Sequence, residues 1–86
     1  MSKKLFVGGL SWSTRSAGLR AAFAPFGEIS EAIVVKRLET GRSRGFGYVT
    51  FHKMVHAAAA VREMNGVDVE GRAILVQEAV GQAVAT

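Results

Sequence analysis

The chain has 86 residues, enough for one small domain and too few for two separate hydrophobic cores. It contains no cysteine, which excludes disulfide bonds and thiolate zinc sites. Eleven Lys and Arg residues against seven Asp and Glu residues give a formal net charge of +4, which favours a polyanionic partner.

The predicted elements, in chain order, are a strand at 5–10, a helix at 15–24, strands at 29–37 and 44–51, a helix at 53–64, a turn or short hairpin at 67–71 and a strand at 73–77. Ser13 or Thr14 is the expected N-cap of the first helix. Apolar residues at helical spacing mark the inward faces of the two helices: Leu19, Ala22 and Phe23 in the first, and Ala57, Ala60, Val61 and Met64 in the second.

Two of the predicted strands carry aromatic residues opposite their aliphatic side. In the strand at 44–51, Phe46 and Tyr48 share one face, and Val49 and Phe51 share the other. In the strand at 5–10, Phe6 likewise lies opposite the aliphatic residues. Flat rings on a sheet surface suit the stacking of nucleic-acid bases. The alternative is a sheet buried on both sides, in which the rings belong to the core.

The order of elements favours one architecture. Strand, helix, strand, strand, helix, strand is the ferredoxin-like βαββαβ arrangement of the α+β class, with a four-stranded antiparallel sheet. Two helices cover only one face of such a sheet, which leaves the other face for a ligand. Phe6, Phe46 and Tyr48, which we call the aromatic platform, fall on that open face. A large apolar patch left exposed usually has a use, so the open-face alternative is favoured over the all-core one.

The chain resembles the RNA recognition motif family. Its segment Arg44-Gly45-Phe46-Gly47-Tyr48-Val49-Thr50-Phe51 is similar to the octamer signature of that family, and Leu5-Phe6-Val7-Gly8-Gly9-Leu10 is similar to its hexamer. The run at 29–51 is similar to the cold-inducible and glycine-rich RNA-binding proteins. The resemblance implies non-catalytic binding of single-stranded RNA, with single-stranded DNA as a further ligand, and a role in post-transcriptional regulation.

The resemblance also implies roles for individual residues. Phe6 and Tyr48 would each stack under a base, Phe46 would pack against sugars, and Arg44 would pair with a phosphate. Residues on the same sheet face or in the adjoining loop would touch bases or backbone: Lys4, Glu31, Ile33, Val35, Arg42, Leu75 and Gln77, with Arg72 as another phosphate contact. At position 75 a basic residue is common in the family, so Leu75 removes one possible phosphate contact.

The second helix carries more apolar residues than one inward face can hold. Met54, Val55, Ala58 and Ala59 do not all fit on the buried side, so several should be exposed. Alanine on a helix surface is also simply a good helix former. The alternative function is therefore a protein-interaction or self-associating module that uses this helical face.

Other chemistry has little support in the sequence. His52 and His56 are four residues apart, but no third metal ligand is evident, so we expect neither a metal nor a cofactor. No constellation of residues points to an enzyme. We expect Trp12 to pack against the start of the first helix rather than to serve the binding face.

No apolar run approaches the roughly 20 residues of a membrane span, and no signal-peptide pattern follows the first residues. We therefore expect an intracellular protein, cytoplasmic or nuclear, with no membrane association. We expect one domain over 1–86, with a core at about 4–79 and a loose tail at 80–86.

Overall fold

The structure, a computed structural model, describes residues 2–79, and the predicted tail at 80–86 lies outside the described residues. The elements, in chain order, are β1 (Lys4–Gly8), α1 (Ser16–Phe23), a 3₁₀ turn (Ala24–Phe26), β2 (Ile29–Lys36), β3 (Ser43–Phe51), α2 (Met54–Met64), β4 (Asp68–Val69), β5 (Arg72–Ala73) and β6 (Leu75–Glu78).

Four of the strands form one sheet in the order β2-β3-β1-β6, and all neighbouring strands are antiparallel. Strands β4 and β5 pair separately as a small hairpin. Both helices pack on one face of the four-stranded sheet. The predicted ferredoxin-like fold is confirmed, and so is the short hairpin before the last strand.

The hydrophobic core lies between the sheet and the two helices. Every second residue of β1 and β3 points into it, so that Leu5, Val7 and Val49 are fully buried. The helices contribute the residues predicted from their spacing: Leu19 and Phe23 from α1, and Ala57, Ala60 and Met64 from α2. Burying one large aliphatic or aromatic side chain stabilises the fold by about 1.5–3 kcal/mol. This core therefore determines which face of each strand is turned outward.

The start of α1 differs from the prediction. Its N-cap is Arg15 in an extended conformation, without a side-chain capping bond, and neither Ser13 nor Thr14 serves as the cap. Thr14 is buried instead, and its hydroxyl donates a 2.6 Å hydrogen bond to Oε1 of Glu70. A hydrogen bond to a carboxylate is roughly twice as strong as one between neutral groups, which is why the distant partner prevails over a local cap.

The last predicted strand is divided between two sheets. Ala73 pairs with Asp68 in the β4–β5 hairpin, whereas β6 begins at Leu75 and pairs with β1. Between them, the N–H of Ile74 donates to the carbonyl of Val67, and the carbonyl of Ile74 accepts from Gly66. Ile74 and Val76 of this segment are buried and Leu75 is exposed, so its side chains alternate between the core and the open face.

Alanine substitutions at two glycines are expected to change the free energy of unfolding in opposite directions. A Cβ at Gly47 would meet the carbonyl oxygen of Ile33 and lie 3.0 Å from Cα of Val34, so the added methyl overlaps the backbone of β2. Gly18 lies in α1, where the nearest atom to a Cβ is Oε1 of Glu70 at 3.6 Å, an ordinary contact. Gly47→Ala should lower the free energy of unfolding by about 1–3 kcal/mol through overpacking. Gly18→Ala should raise it by about 0.5–1 kcal/mol through helix propensity.

Urea unfolding of the two variants beside the parent measures both changes. If Gly47→Ala were as stable as the parent, the close approach of β2 to β3 at this position would be refuted.

Candidate nucleic-acid interface

The three rings of the aromatic platform lie together on the sheet face that the helices leave uncovered. Phe6 on β1 is paired with Tyr48 on β3, and Gly8 is paired with Phe46. The ring centroids of Phe6 are 5.6 Å from Phe46 and 6.0 Å from Tyr48, and those of Phe46 and Tyr48 are 6.2 Å apart. Each ring therefore touches the other two. All three are half-buried, since their edges pack together while part of each ring remains open to solvent.

Gly8 makes room for one of these rings. A Cβ built at Gly8 would lie 2.9 Å from Cε2 and 3.2 Å from Cζ of Phe6. The Phe6 ring therefore lies over the backbone of Gly8, two residues further along the same face of β1. A side chain at position 8 would push the ring away from its present position.

Two cations lie beside the platform. Nζ of Lys4 is 4.7 Å from the centroid of the Tyr48 ring, and Cζ of Arg44 is 5.8 Å from the centroid of the Phe46 ring. Each such cation–π contact is worth about 0.5–1 kcal/mol at an exposed site. The contacts hold positive charge next to the surface where an aromatic ligand would stack. The platform can thus offer a π-face and a phosphate partner at the same place.

The other predicted sheet residues flank the platform in register. One row across the sheet runs from Ile33 on β2 through Tyr48 and Phe6 to Gln77 on β6. In a neighbouring row, Glu31 and Lys4 lie on either side of Thr50. Leu75 pairs with Gly8, so it lies next to the Phe6 ring. The members of this flanking set are exposed or half-buried: Lys4, Glu31, Ile33, Val35, Leu75 and Gln77.

Arg42 and Arg72 lie in a different place from the platform. They line a recess of about 490 Å³ at the end of the sheet, together with Arg37, Arg44 and Trp12. We call these five residues the arginine recess.

The expectation that Trp12 packs against the first helix is wrong, because 74% of its surface is exposed. Sequence reasoning also missed Arg37 as a member of this group. The sequence holds only a weak sign that Trp12 is exposed. Trp12 stands in a serine-rich loop, flanked by Ser11 and Ser13, and has no apolar stripe to join.

The helical face is only partly as predicted. Met54 and Val55 are exposed, at 47% and 68% of their surface, whereas Ala58 and Ala59 are half-buried. A use of this face for docking a protein stays a prediction.

The two histidines do not form a cluster with other ligands. Within residues 2–79, the structure brings no three His, Cys, Asp or Glu side chains together as a metal site. His52 is exposed before α2, and His56 packs on Gly27. Among the same residues, no helix is both long and apolar enough to cross a membrane.

Comparison with known proteins identifies the family. The RNA recognition motif family matches residues 5–75, and the chain belongs to this family. The chain is 54% identical over 79 residues to glycine-rich RNA-binding protein 2, mitochondrial, of Arabidopsis thaliana, covering 92% of this chain and 50% of that protein. It is 47% identical over 76 residues to glycine-rich RNA-binding protein GRP2A of Sinapis alba, covering 88% and 45%. The chain thus spans about half the length of these relatives.

Solved structures agree on the fold. The crystal structure of RNA-binding protein PG1 has a TM-score of 0.88 and 34% identity, and the match covers 92% of this chain and 95% of that one. The second RRM domain of yeast poly(U)-binding protein has a TM-score of 0.81 and 35% identity, with 86% and 89% covered.

Substituting Gly8 tests the geometry of the platform without any ligand. Gly8→Ala should displace the Phe6 ring, because the new methyl would lie within 3.0 Å of it. In aromatic NMR spectra the ring protons of Phe6, Phe46 and Tyr48 should shift, since each ring senses the ring currents of the other two. The methyl resonances of buried Val49 should stay in place and serve as the internal control. Unchanged ring shifts would contradict the contact between Phe6 and Gly8.

Proposed function

We propose that this chain binds single-stranded RNA by stacking bases on the aromatic platform and catalyses no reaction. The observation that carries the proposal is the contact of three aromatic rings on the one sheet face that no helix covers. Base stacking on aromatic side chains contributes about 1–3 kcal/mol per base. The names of the plant relatives, which call them RNA-binding proteins, support the same proposal.

Each platform ring has a distinct proposed role. Phe6 stacks under one base and Tyr48 under the next, and Phe46 packs against the sugars between them. Arg44, held beside the Phe46 ring, pairs with a backbone phosphate. With these contacts the sheet would hold about two to four nucleotides.

The flanking residues would tune rather than create binding. Lys4, next to Tyr48, adds a cation. Gln77, which pairs with Phe6, and Glu31, which pairs with Thr50, would offer polar groups to bases at the two sides of the platform. Stacking does not require the 2′-hydroxyl, so we propose that single-stranded DNA binds as well. We further propose that the protein acts in post-transcriptional regulation inside the cell.

Removing two rings should abolish most of the binding. The double variant Phe46→Ala, Tyr48→Ala loses two stacking surfaces, so its affinity for a short single-stranded RNA should fall by at least about tenfold. Fluorescence anisotropy with labelled RNA of mixed sequence measures the change. Raising the salt concentration should also lower the RNA affinity of the parent. The expected slope of log K against log salt is about −0.7 for each phosphate that pairs with a cationic side chain.

The matched control is Val55→Ala, which truncates an exposed apolar side chain on the opposite, helical face. It should leave RNA binding unchanged. Amide NMR spectra verify that all variants remain folded. A folded double variant that binds RNA as well as the parent would refute the platform as the binding site.

The exposure of Met54 and Val55 favours a second candidate, in which the helical face binds protein or another copy of this chain. This candidate predicts association that increases with concentration, because buried apolar area drives most protein contacts. Sedimentation equilibrium over a wide concentration range measures it, with Val55→Lys as the variant that should dissociate the complex. A strictly monomeric parent would exclude self-association. The two candidates are compatible, since the two faces are opposite.

A further inference from the structure

The connection between α2 and the β4–β5 hairpin carries a chemically reactive pair of residues. Asn65 directly follows α2 and is the only asparagine in the chain, and Gly66 comes next. Asparagine is a thermolabile residue, and a following glycine has no Cβ to keep its backbone nitrogen away from the side-chain carboxamide. Both residues are exposed, and no described residue beyond the chain neighbours places an atom within 4 Å of a Cβ built at Gly66. Water therefore reaches the pair.

The reaction open to this pair is deamidation, which consumes only water. The backbone nitrogen of Gly66 loses its proton to solvent and forms a bond to Cγ of Asn65. The side-chain nitrogen of Asn65 takes up a proton and leaves as ammonia, which closes a succinimide ring. Water then opens the ring at one of its two carbonyl carbons. The product is aspartate or, where the chain continues through the side-chain carbon, isoaspartate.

The fold holds both reacting groups in hydrogen bonds. The N–H of Gly66 donates to the carbonyl of Ile74 over 2.7 Å, so the nitrogen that must attack keeps its proton in a short bond. Oδ1 of Asn65 accepts from the N–H of Val76 over 3.0 Å, which fixes the carboxamide against β6. Since solvent already surrounds the pair, these two bonds rather than burial are what can slow the reaction.

Both bonds lie at an edge of the structure. Strand β6 is the last strand of the sheet, and Ile74 lies between it and the β4–β5 hairpin. Hydrogen bonds at such places open locally at a smaller free-energy cost than those in the centre of a sheet. A reaction that needs the open form proceeds at a rate proportional to the population of that form.

We propose that Asn65–Gly66 is a site of spontaneous deamidation, which the folded chain suppresses through the bonds to Ile74 and Val76. The carboxylate product then accumulates only as fast as the connection after α2 opens. The proposal goes beyond RNA binding and does not depend on it, because no residue of the aromatic platform takes part.

The first test compares the folded and unfolded parent in the same mildly alkaline buffer, with and without concentrated urea. Peptide mapping by mass spectrometry measures the exchange of an amino group for a hydroxyl at Asn65. The unfolded chain should deamidate there, and the folded chain should do so about 5- to 150-fold more slowly, the factor that two hydrogen bonds of ordinary strength supply. Asn65→Gln, whose longer side chain closes a ring less readily, should stay unmodified in both buffers.

A second test loosens the protecting bonds. Ile74→Ala truncates a buried side chain between the two bonds, so the folded variant should deamidate faster than the parent. Hydrogen exchange of the Gly66 and Val76 amides should accelerate in parallel, because the same opening exposes them. Val55→Ala, which truncates an exposed side chain at the other end of α2, is the matched control and should leave both rates unchanged.

If Ile74→Ala does not fold, urea below the unfolding transition of the parent replaces it. Deamidation and exchange of the Gly66 amide should then rise together with the urea concentration.

Two results would overturn the proposal. An unfolded chain that stays unmodified at Asn65 would refute the reactive site. A folded parent that deamidates as fast as the unfolded chain would refute protection by the two bonds. Neither result bears on RNA binding, which the platform variants test separately.

Discussion

The structure depends on one constraint, the alternation of side chains along β1 and β3 over a core on a single side of the sheet. Leu5, Val7 and Val49 are held inward by the helices, so Phe6, Phe46 and Tyr48 have no position other than the outer face. A shift of the register by one residue would bury the rings and expose the aliphatic side chains. Each exposed aliphatic residue would then cost about 1.5–3 kcal/mol, which is why the outer surface needs little stabilisation of its own. The contacts among the three rings are a result of the core packing rather than its cause.

Most of the fold could be predicted from the sequence because its signals are periodic and local. The helical stripe from Ala57 to Met64 and the two-residue alternation from Phe46 to Phe51 each identify an element and its buried face, and the structure confirms both. The N-cap of α1 could not be predicted in this way. Thr14 has the side chain of a capping residue, but its hydroxyl binds Glu70, which lies 56 residues further along the chain. A local rule failed because a distant carboxylate is the stronger partner.

In the candidate site, too, the part that follows from local patterns could be predicted and the part formed by distant residues could not. The platform residues follow from strand alternation together with the resemblance to the RNA recognition motif, so Phe6, Phe46 and Tyr48 could be named in advance. The recess brings together residues from the connection after β1, the loop before β3, β3 itself and the β4–β5 hairpin. No pattern in the sequence shows that such separate segments converge on one place. The exposure of Trp12 was missed for a related reason. Large aromatic residues are usually buried, and an exception depends on the three-dimensional packing around the side chain, which the sequence does not show.

The bond between Thr14 and Glu70 links the connection after β1 to the β4–β5 hairpin. Glu70 lies at the tip of the β4–β5 hairpin, and the same hairpin carries Arg72. One small hairpin therefore braces the turn that bears Trp12 and also supplies one of the arginines that line the recess. The hairpin does not position the rings of the aromatic platform, because the core beneath the sheet holds them in place. Sequence change in the hairpin can thus reshape the recess at the end of the sheet while the aromatic platform keeps its geometry.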